Sequence, residues 1–155
     1  MAPRLLVVHH SRTGSTAALR DEALAGAADA AVEADVEVSS VGAFEAAAGD
    51  VLGANAILLC TPANFGYMSG ALKDFFERIY HPCLEVTVSL PYALIVKGDT
   101  DVAGAAQSVE RIVAGLRWRE IRPPLLVVGP TLDPDLAAAR ELGATIVASL
   151  GLGIL

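Results

Sequence analysis

The chain has 155 residues, of which 54% are hydrophobic, and its formal net charge is −7 at pH 7. This length and composition suit one folded domain, residues 1–155, with one site, and they exclude a disordered chain. Acidic residues outnumber the scattered basic ones, which argues against a nucleic-acid partner, and no apolar run approaches the roughly 20 residues that insert across a membrane.

The amino-terminal residues lack the pattern of a secretory signal, because only four apolar residues, 5–8, precede two histidines. We therefore expect a cytoplasmic protein. Cys60 ends an apolar run and Cys83 follows a proline, and neither spacing is that of a zinc site or a CxxC redox motif. Two buried or inert thiols are expected.

Five runs predict β-strands, and in chain order they are 5–8, 35–40, 56–60, 92–96 and 125–128. Four of these runs are apolar enough to be buried on both faces of a sheet. Only 35–40 alternates apolar and polar residues, which is typical of an edge strand.

Helical segments are expected between these strands. Apolar residues recur at helical spacing over 72–79 and 109–116, and each pattern predicts a helix with one buried face. The less regular segment 41–54 predicts a short helix followed by a turn at 49–50. Asp133 is the expected N-cap of a last helix that runs close to the carboxyl end.

Strand and helix alternate five times, which predicts a doubly wound α/β domain with a five-stranded parallel sheet and helices on both faces. In such folds a ligand lies beyond the carboxyl ends of the strands. We therefore expect the loops after residues 9, 60 and 97 to meet around one site.

The first of these loops, 11–16, carries four hydroxyl side chains around Gly14, at the point where the first helix should begin. Free amides and hydroxyls at a helix start form an anion site, so a phosphate is the expected occupant. The alternative is simple helix capping by Ser and Thr. The loop has no lysine and the chain has no GxxxxGK[ST] motif, which disfavours a nucleoside-triphosphate site.

His9 and His10 end the first strand on opposite faces, because successive side chains of a strand alternate. No third ligand stands at a spacing that would complete a metal site with them. We expect no bound metal, and we interpret both histidines as core or loop-packing residues.

The other two loops also contain glycine. In the second, Pro62 and Gly66 frame a turn, and the backbone of 63–67 is expected to be exposed. Such a loop either contacts a flat aromatic ligand or merely packs against the protein. In the third, Gly98 is followed by Asp99, which either faces the ligand or, like the threonine after it, only caps the next helix.

Three motifs carry a resemblance to a known family. Residues 11–16, SRTGST, resemble the [ST]-x-T-G-x-T phosphate loop of flavodoxins. Residues 61–73, TPANFGYMSGALK, resemble the TP-x-x-FG-x-MSG-x-LK segment of flavodoxin-like NAD(P)H-dependent oxidoreductases, which include NAD(P)H:quinone reductases. Residues 98–100, GDT, are similar to the flavodoxin third loop. The resemblance implies a flavodoxin-like fold with strand order 2-1-3-4-5.

The cofactor that this resemblance implies is flavin mononucleotide (FMN), bound without a covalent link. Its phosphate would be held by Ser11, Thr13, Gly14, Ser15 and Thr16, with the backbone amide of Arg12. Its isoalloxazine ring would be lined by Pro62, Ala63, Asn64, Phe65 and Gly66, and its pyrimidine edge would touch Gly98 and Asp99. No aromatic residue stands within 98–104 to stack on the ring, so one face of the flavin is expected to be open.

Two functions follow from the resemblance. The first is an FMN-dependent oxidoreductase that takes electrons from NADPH or NADH and passes them to a quinone or another small acceptor. The second is an electron carrier reduced by a redox partner protein. A homo-oligomer is also implied, because related oxidoreductases often pair so that a second subunit covers the flavin. A phosphorylation receiver is disfavoured, because the histidine pair stands where that class needs acids, and a flavin-free scaffold is the remaining alternative.

Overall fold

The computed structural model describes residues 1–155 and contains seven strands and five helices. The strands are β1 (Arg4–His9), β2 (Glu37–Gly42), β3 (Ala56–Asn64), β4 (Tyr67–Met68), β5 (Pro91–Gly98), β6 (Arg119–Glu120) and β7 (Leu125–Val128). The helices are α1 (Ser15–Ala34), α2 (Ala48–Leu52), α3 (Gly70–Cys83), α4 (Val102–Leu116) and α5 (Asp133–Gly151). None of these helices is both long and apolar enough to cross a membrane.

The strands form one twisted layer in the order β2-β1-β3-β5, and both β6 and β7 lie beyond β5. All of these neighbours pair in parallel. β6 pairs with the start of β5 and β7 with its end, so the fifth position of the sheet is filled by two short pieces. The predicted doubly wound parallel sheet is confirmed, with a divided fifth strand and with β4 added as an antiparallel partner of β3.

Helices cover both faces of the sheet, and the side chains of each central strand alternate between them. In β5, Leu94 and Val96 pack toward α3 and α4, whereas Ala93 and Ile95 pack toward α1 and α5. Helices α1 and α5 lie so close together that a Cβ atom on Gly143 would collide with the backbone carbonyl of Ala23. The burial of both faces explains why the central strands are continuous apolar runs.

The two edges of the sheet differ in how well the sequence predicts them. β2 pairs only with β1, which confirms the edge position expected from its alternation. The prediction that 125–128 is buried on both faces is wrong, because Leu126 is 38% and Val128 57% exposed. Both side chains project from an edge strand that the helices cover incompletely, whereas Val127 enters the core and Leu125 packs against it.

Two local predictions are corrected. The turn expected at 49–50 is absent, because these residues belong to α2, where the Asp50 carboxylate accepts a hydrogen bond of 2.8 Å from the Ala47 amide. The last helix begins at Asp133 itself, and Leu132 occupies the N-cap position. In both cases an acidic side chain in the first turn bonds the N-cap amide, so α2 begins close to where the turn was expected and α5 begins one residue earlier than expected.

Candidate cofactor-binding site

A cleft of about 150 Å³ lies at the carboxyl ends of β1, β3 and β5, where the three glycine-bearing loops meet. Residues of all three loops line it, namely Arg12, Thr13, Ser15, Thr16, Pro62, Ala63, Asn64, Lys97, Gly98 and Asp99. Lys97 is the sole lining residue outside the set predicted from sequence. Ser11, Gly14, Phe65 and Gly66 of that set do not line the cleft and belong to the loops around it.

The first loop turns into α1 through Gly14, whose φ of 94° lies in the left-handed region that glycine adopts without strain. The Ser11 hydroxyl oxygen accepts hydrogen bonds from the amides of Gly14, at 3.1 Å, and Ala17, at 3.2 Å. Ser11 thereby holds the loop in shape from inside. Both of these bonds use the acceptor sites of the hydroxyl, and its O–H donates no hydrogen bond within the protein.

Four backbone amides of this loop donate no hydrogen bond within the protein: those of Arg12, Thr13, Ser15 and Thr16. The first turn of α1 also contains no acidic residue. The Ser11 hydroxyl therefore pairs only some of the backbone amides at the start of α1. A 20-residue helix with free amides at its N-terminus carries partial positive charge there, which favours an anion in the cleft.

The second loop is a β-hairpin rather than the expected exposed backbone. β3 continues past its predicted end to Asn64, and Ala63 and Asn64 pair with Met68 and Tyr67. The hairpin turns through Phe65, with φ of 54°, and the following glycine, with φ of 66°. Strand pairing therefore involves most of the segment, and only the turn between β3 and β4 is left unpaired.

Phe65 is the most unusual residue of this hairpin. Its side chain is fully exposed, and its positive φ is uncommon for a bulky residue. On the other side of the hairpin, Ser69 caps α3, accepting a hydrogen bond of 3.2 Å from the Leu72 amide. The hairpin is thus anchored at its base and presents an unpacked ring at its tip.

The third loop contacts the hairpin directly. A Cβ atom at Gly98 would lie 2.7 Å from the Cβ atom of Ala63, so any larger residue would push the two loops apart. The cap of α4 is Asp101, which accepts a hydrogen bond of 3.0 Å from the Gly104 amide. The alternative in which Asp99 or the threonine after it only caps this helix is therefore wrong, and Asp99 is left exposed at the cleft.

Lys97 is the cleft residue that sequence reasoning missed. It lies in β5 opposite Pro62 and Val127, and it is only 8% exposed. Strand alternation directs its side chain to the same face as Ala93 and Ile95, which is the face covered by α1. A charged residue at the end of an otherwise apolar, fully buried strand is the sequence signal that could have identified it.

The histidine pair packs with its neighbours. His9 Nδ1 lies 3.1 Å from Arg20 Nη1 and serves as the acceptor, because a guanidinium can only donate. Burial, and then the positive charge of Arg20, lower the pKa of His9 below its ordinary 6.5. The His10 ring packs edge-on against Phe44, at 5.9 Å between ring centroids. No group of three or more potential ligand side chains is arranged to hold a metal ion.

Both thiols are buried and free, which confirms the prediction of two buried thiols. Burial raises the pKa of Cys60 to about 12 and also raises that of Cys83. Neither is a reactive thiolate at neutral pH, because burial disfavours the charged form. Neither thiol lines the cleft.

No protein-family model matches the chain, and no curated protein matches it in sequence. Solved structures do match. A flavodoxin from the domain Archaea superposes with a TM-score of 0.80 at 15% identity, covering 95% of this chain and 98% of its own. A WrbA-like flavodoxin protein from Agrobacterium tumefaciens gives 0.77 at 17% identity, covering 99% and 100%. The Flv1 flavodiiron core from Synechocystis gives 0.80 at 13% identity, covering 98% of this chain and 37% of its own.

These likenesses confirm a flavodoxin-like fold over essentially the whole chain. The strand order also agrees with the predicted order once β6 and β7 are counted as one position. Identities of 13% to 17% show the fold and leave the ligand to be argued from the site itself.

Proposed function

We propose that this protein is an FMN-binding flavoprotein that acts as an NAD(P)H-dependent oxidoreductase on a quinone or another small acceptor. The observation that carries the proposal is the convergence of three loops on one cleft, with four unpaired backbone amides at the start of α1. Such a group of donors suits a phosphate dianion. The motifs that resemble flavodoxins occupy the same three loops, which supports FMN as the ligand.

The residues present fit this cofactor. A cleft of about 150 Å³ is smaller than the ~300–1,000 Å³ of pockets that enclose a whole drug-sized ligand, so it suits one end of FMN. The loop 11–16 would hold the phosphate through its amides. The hairpin around Phe65 and the third loop at Gly98 would border the ring. When bound, FMN supplies the redox chemistry, and the chain supplies binding and orientation.

The choice between an enzyme and a carrier rests on access to the ring. The segment 98–104 contains no aromatic side chain, and Asp99 at its start is exposed, so this loop provides no stacking cover. An open face would admit a nicotinamide and then an acceptor in turn. The alternative, a carrier reduced by a partner protein, is compatible with the net charge of −7 and with the flavodoxin neighbours.

The first experiment tests cofactor binding. FMN is added to the purified protein, and the absorption spectrum and quenching of flavin fluorescence are recorded. A protein that stays colourless and leaves FMN fluorescence unchanged would contradict the proposal and favour a flavin-free scaffold.

A variant then tests where the phosphate lies. Ser15→Asp places a carboxylate in the first turn of α1, where it should stabilise the helix through its dipole but repel a phosphate. We expect an equal or higher melting temperature without ligand and much weaker FMN binding. Ser15→Ala is the matched control, because it removes the same hydroxyl without adding charge. Equal FMN binding by all three proteins would argue against a phosphate at this helix start.

A second experiment separates enzyme from carrier. The FMN-loaded protein is mixed anaerobically with NADPH or NADH, and bleaching of the flavin is followed. Rapid bleaching with either nucleotide supports the oxidoreductase. Failure to bleach with both, in a protein that does bind FMN, favours the carrier.

A further inference from the structure

Lys97 is a buried cation without a protein partner. It is only 8% exposed, yet it takes part in none of the side-chain hydrogen bonds or ion pairs of the structure. Lysine is rarely buried unless it is paired, because an ammonium group loses its hydration on burial. Among the side-chain nitrogen and oxygen atoms that are fully enclosed, Thr131 Oγ1 alone lacks a hydrogen-bond partner. The Lys97 ammonium also lacks a partner, so it is not fully enclosed. It is therefore accessible to a ligand in the cleft that it lines.

Two positive features line this cleft. One is the N-terminus of α1, with its unpaired amides, and the other is Lys97, which projects to the α1 side of the sheet. Arg12 adds a third positive group at the mouth. Asp99 is the one carboxylate that lines the cleft, and it forms no ion pair with Lys97. An anion between the helix start and Lys97 would relieve this unfavourable arrangement.

We propose that Lys97 provides the counter-charge for the phosphate group of the ligand at the start of α1. This inference rests on the proposed function for the identity of the ligand as FMN. The loop 11–16 contains no lysine, but β5 contributes one to the lining of the same cleft. The phosphate is then held by amides from α1 and by an ammonium from the sheet.

This role makes Lys97 a determinant of specificity between phosphorylated and unphosphorylated flavins. FMN and riboflavin share the ring and ribityl chain and differ in the phosphate. A side chain that contacts only the phosphate should affect FMN binding and leave riboflavin binding unchanged. A side chain that contacts the ring or supports the cleft should affect both.

The experiment compares the wild-type protein with Lys97→Gln and Lys97→Arg. The matched control is Lys73→Gln, which removes the other lysine of the chain, on α3 and ion-paired with Glu77 outside the cleft. Dissociation constants for FMN and riboflavin are measured by fluorescence quenching at low and high salt. The melting temperature of each ligand-free protein is also recorded, to detect a merely structural role.

We expect Lys97→Gln to weaken FMN binding by roughly ten- to a hundredfold, the usual effect of a hydrogen bond to a charged group, and to change riboflavin binding by less than about twofold. Lys97→Arg should retain most of the FMN affinity, and Lys73→Gln should retain all of it. The ligand-free Lys97→Gln protein should melt no lower than the wild type, because the substitution removes no side-chain hydrogen bond or ion pair of the protein. Equal losses for both flavins, or no loss for FMN, would overturn the proposal.

Failure of the proposed function gives a different result. If the wild-type protein binds neither flavin, inorganic phosphate is used as the probe, and the melting temperature is measured at increasing concentrations. A phosphate-dependent rise that disappears in Lys97→Gln supports the anion site independently of FMN. A wild-type protein that inorganic phosphate does not stabilise would overturn the anion site as well.

Discussion

Replacing Phe65 by asparagine separates the stability of the hairpin from its function. Phe65 lies at the tip of the turn between β3 and β4, with φ of 54° and a fully exposed side chain. A positive φ disfavours residues with a Cβ atom, but asparagine tolerates it because its short polar side chain bonds locally. The Cβ atom of Phe65 therefore strains the backbone, and its ring contributes no packing within the chain.

The structure sets the expected size of the effect. Because Phe65 is fully exposed, its removal loses no buried area, and only the relief of backbone strain remains. That relief is about 1 kcal/mol, which corresponds to a rise in melting temperature of about 2–4 °C for a chain of this size. If the ring contacts the flavin, FMN binding should weaken by roughly two- to tenfold, as expected for the loss of one aromatic contact.

Phe65→Ala is the matched variant, since alanine removes the same ring but keeps a Cβ atom at positive φ. Thermal unfolding without ligand and fluorescence titration with FMN are measured for both variants. We expect both to lose the same FMN affinity, and Phe65→Asn alone to gain stability. A lower melting temperature for Phe65→Asn would refute the strain argument, and unchanged FMN affinity in both variants would refute a role for the ring.

Two further predictions concern the scaffold. Gly143→Ala should lower the free energy of unfolding by about 1–3 kcal/mol, because the added methyl group would collide with the carbonyl of Ala23 and part α1 from α5; chemical denaturation measures this loss. His9→Gln should flatten the dependence of stability on pH. Because the pKa of His9 is lowered from 6.5, the unfolded chain binds more protons, so acidification from about pH 8 to pH 5 should destabilise the wild-type protein more than the variant.

Matched variants check both arguments. Gly49→Ala lies in α2 with open space around the new methyl group, so it should stabilise the protein by about 0.5–1 kcal/mol. A similar gain for Gly143→Ala would show that α1 and α5 separate freely. Arg20→Met should keep part of the pH dependence, because burial is the larger cause of the lowered pKa. Identical pH profiles for the wild type and His9→Gln would contradict the assignment.

The central strands and the phosphate loop could be predicted from sequence because their signals are local. A run such as 56–60 is apolar throughout, and residues 11–16 form a continuous motif. The sequence marks Lys97 as a charge at the end of an apolar strand, but its place in the cleft depends on the pairing of β5 with β3. Apart from Gly98 and Asp99, the residues that line the cleft with Lys97 are distant in the chain.

The cap of α4 shows a second limit of local reasoning. Asp99, the threonine after it and Asp101 are all suitable capping residues, so local preference alone does not choose among them. In the folded protein a Cβ atom at Gly66 would collide with the Asp101 carboxylate, which shows that the hairpin and this cap are in direct contact. Asp101 therefore caps α4 at a position where it also packs against the hairpin.

The division of the fifth strand also shortens the edge to which a strand of another chain could add. An outermost strand presents a row of unpaired amides and carbonyls, onto which another chain can add as a further strand. In this protein that row is interrupted at 121–124, where Pro123 and Pro124 have no amide hydrogen to donate. What is left is a stretch of two residues and another of four. Leu126 and Val128 are thus exposed to water on an edge whose paired stretches are too short for another sheet to add to them.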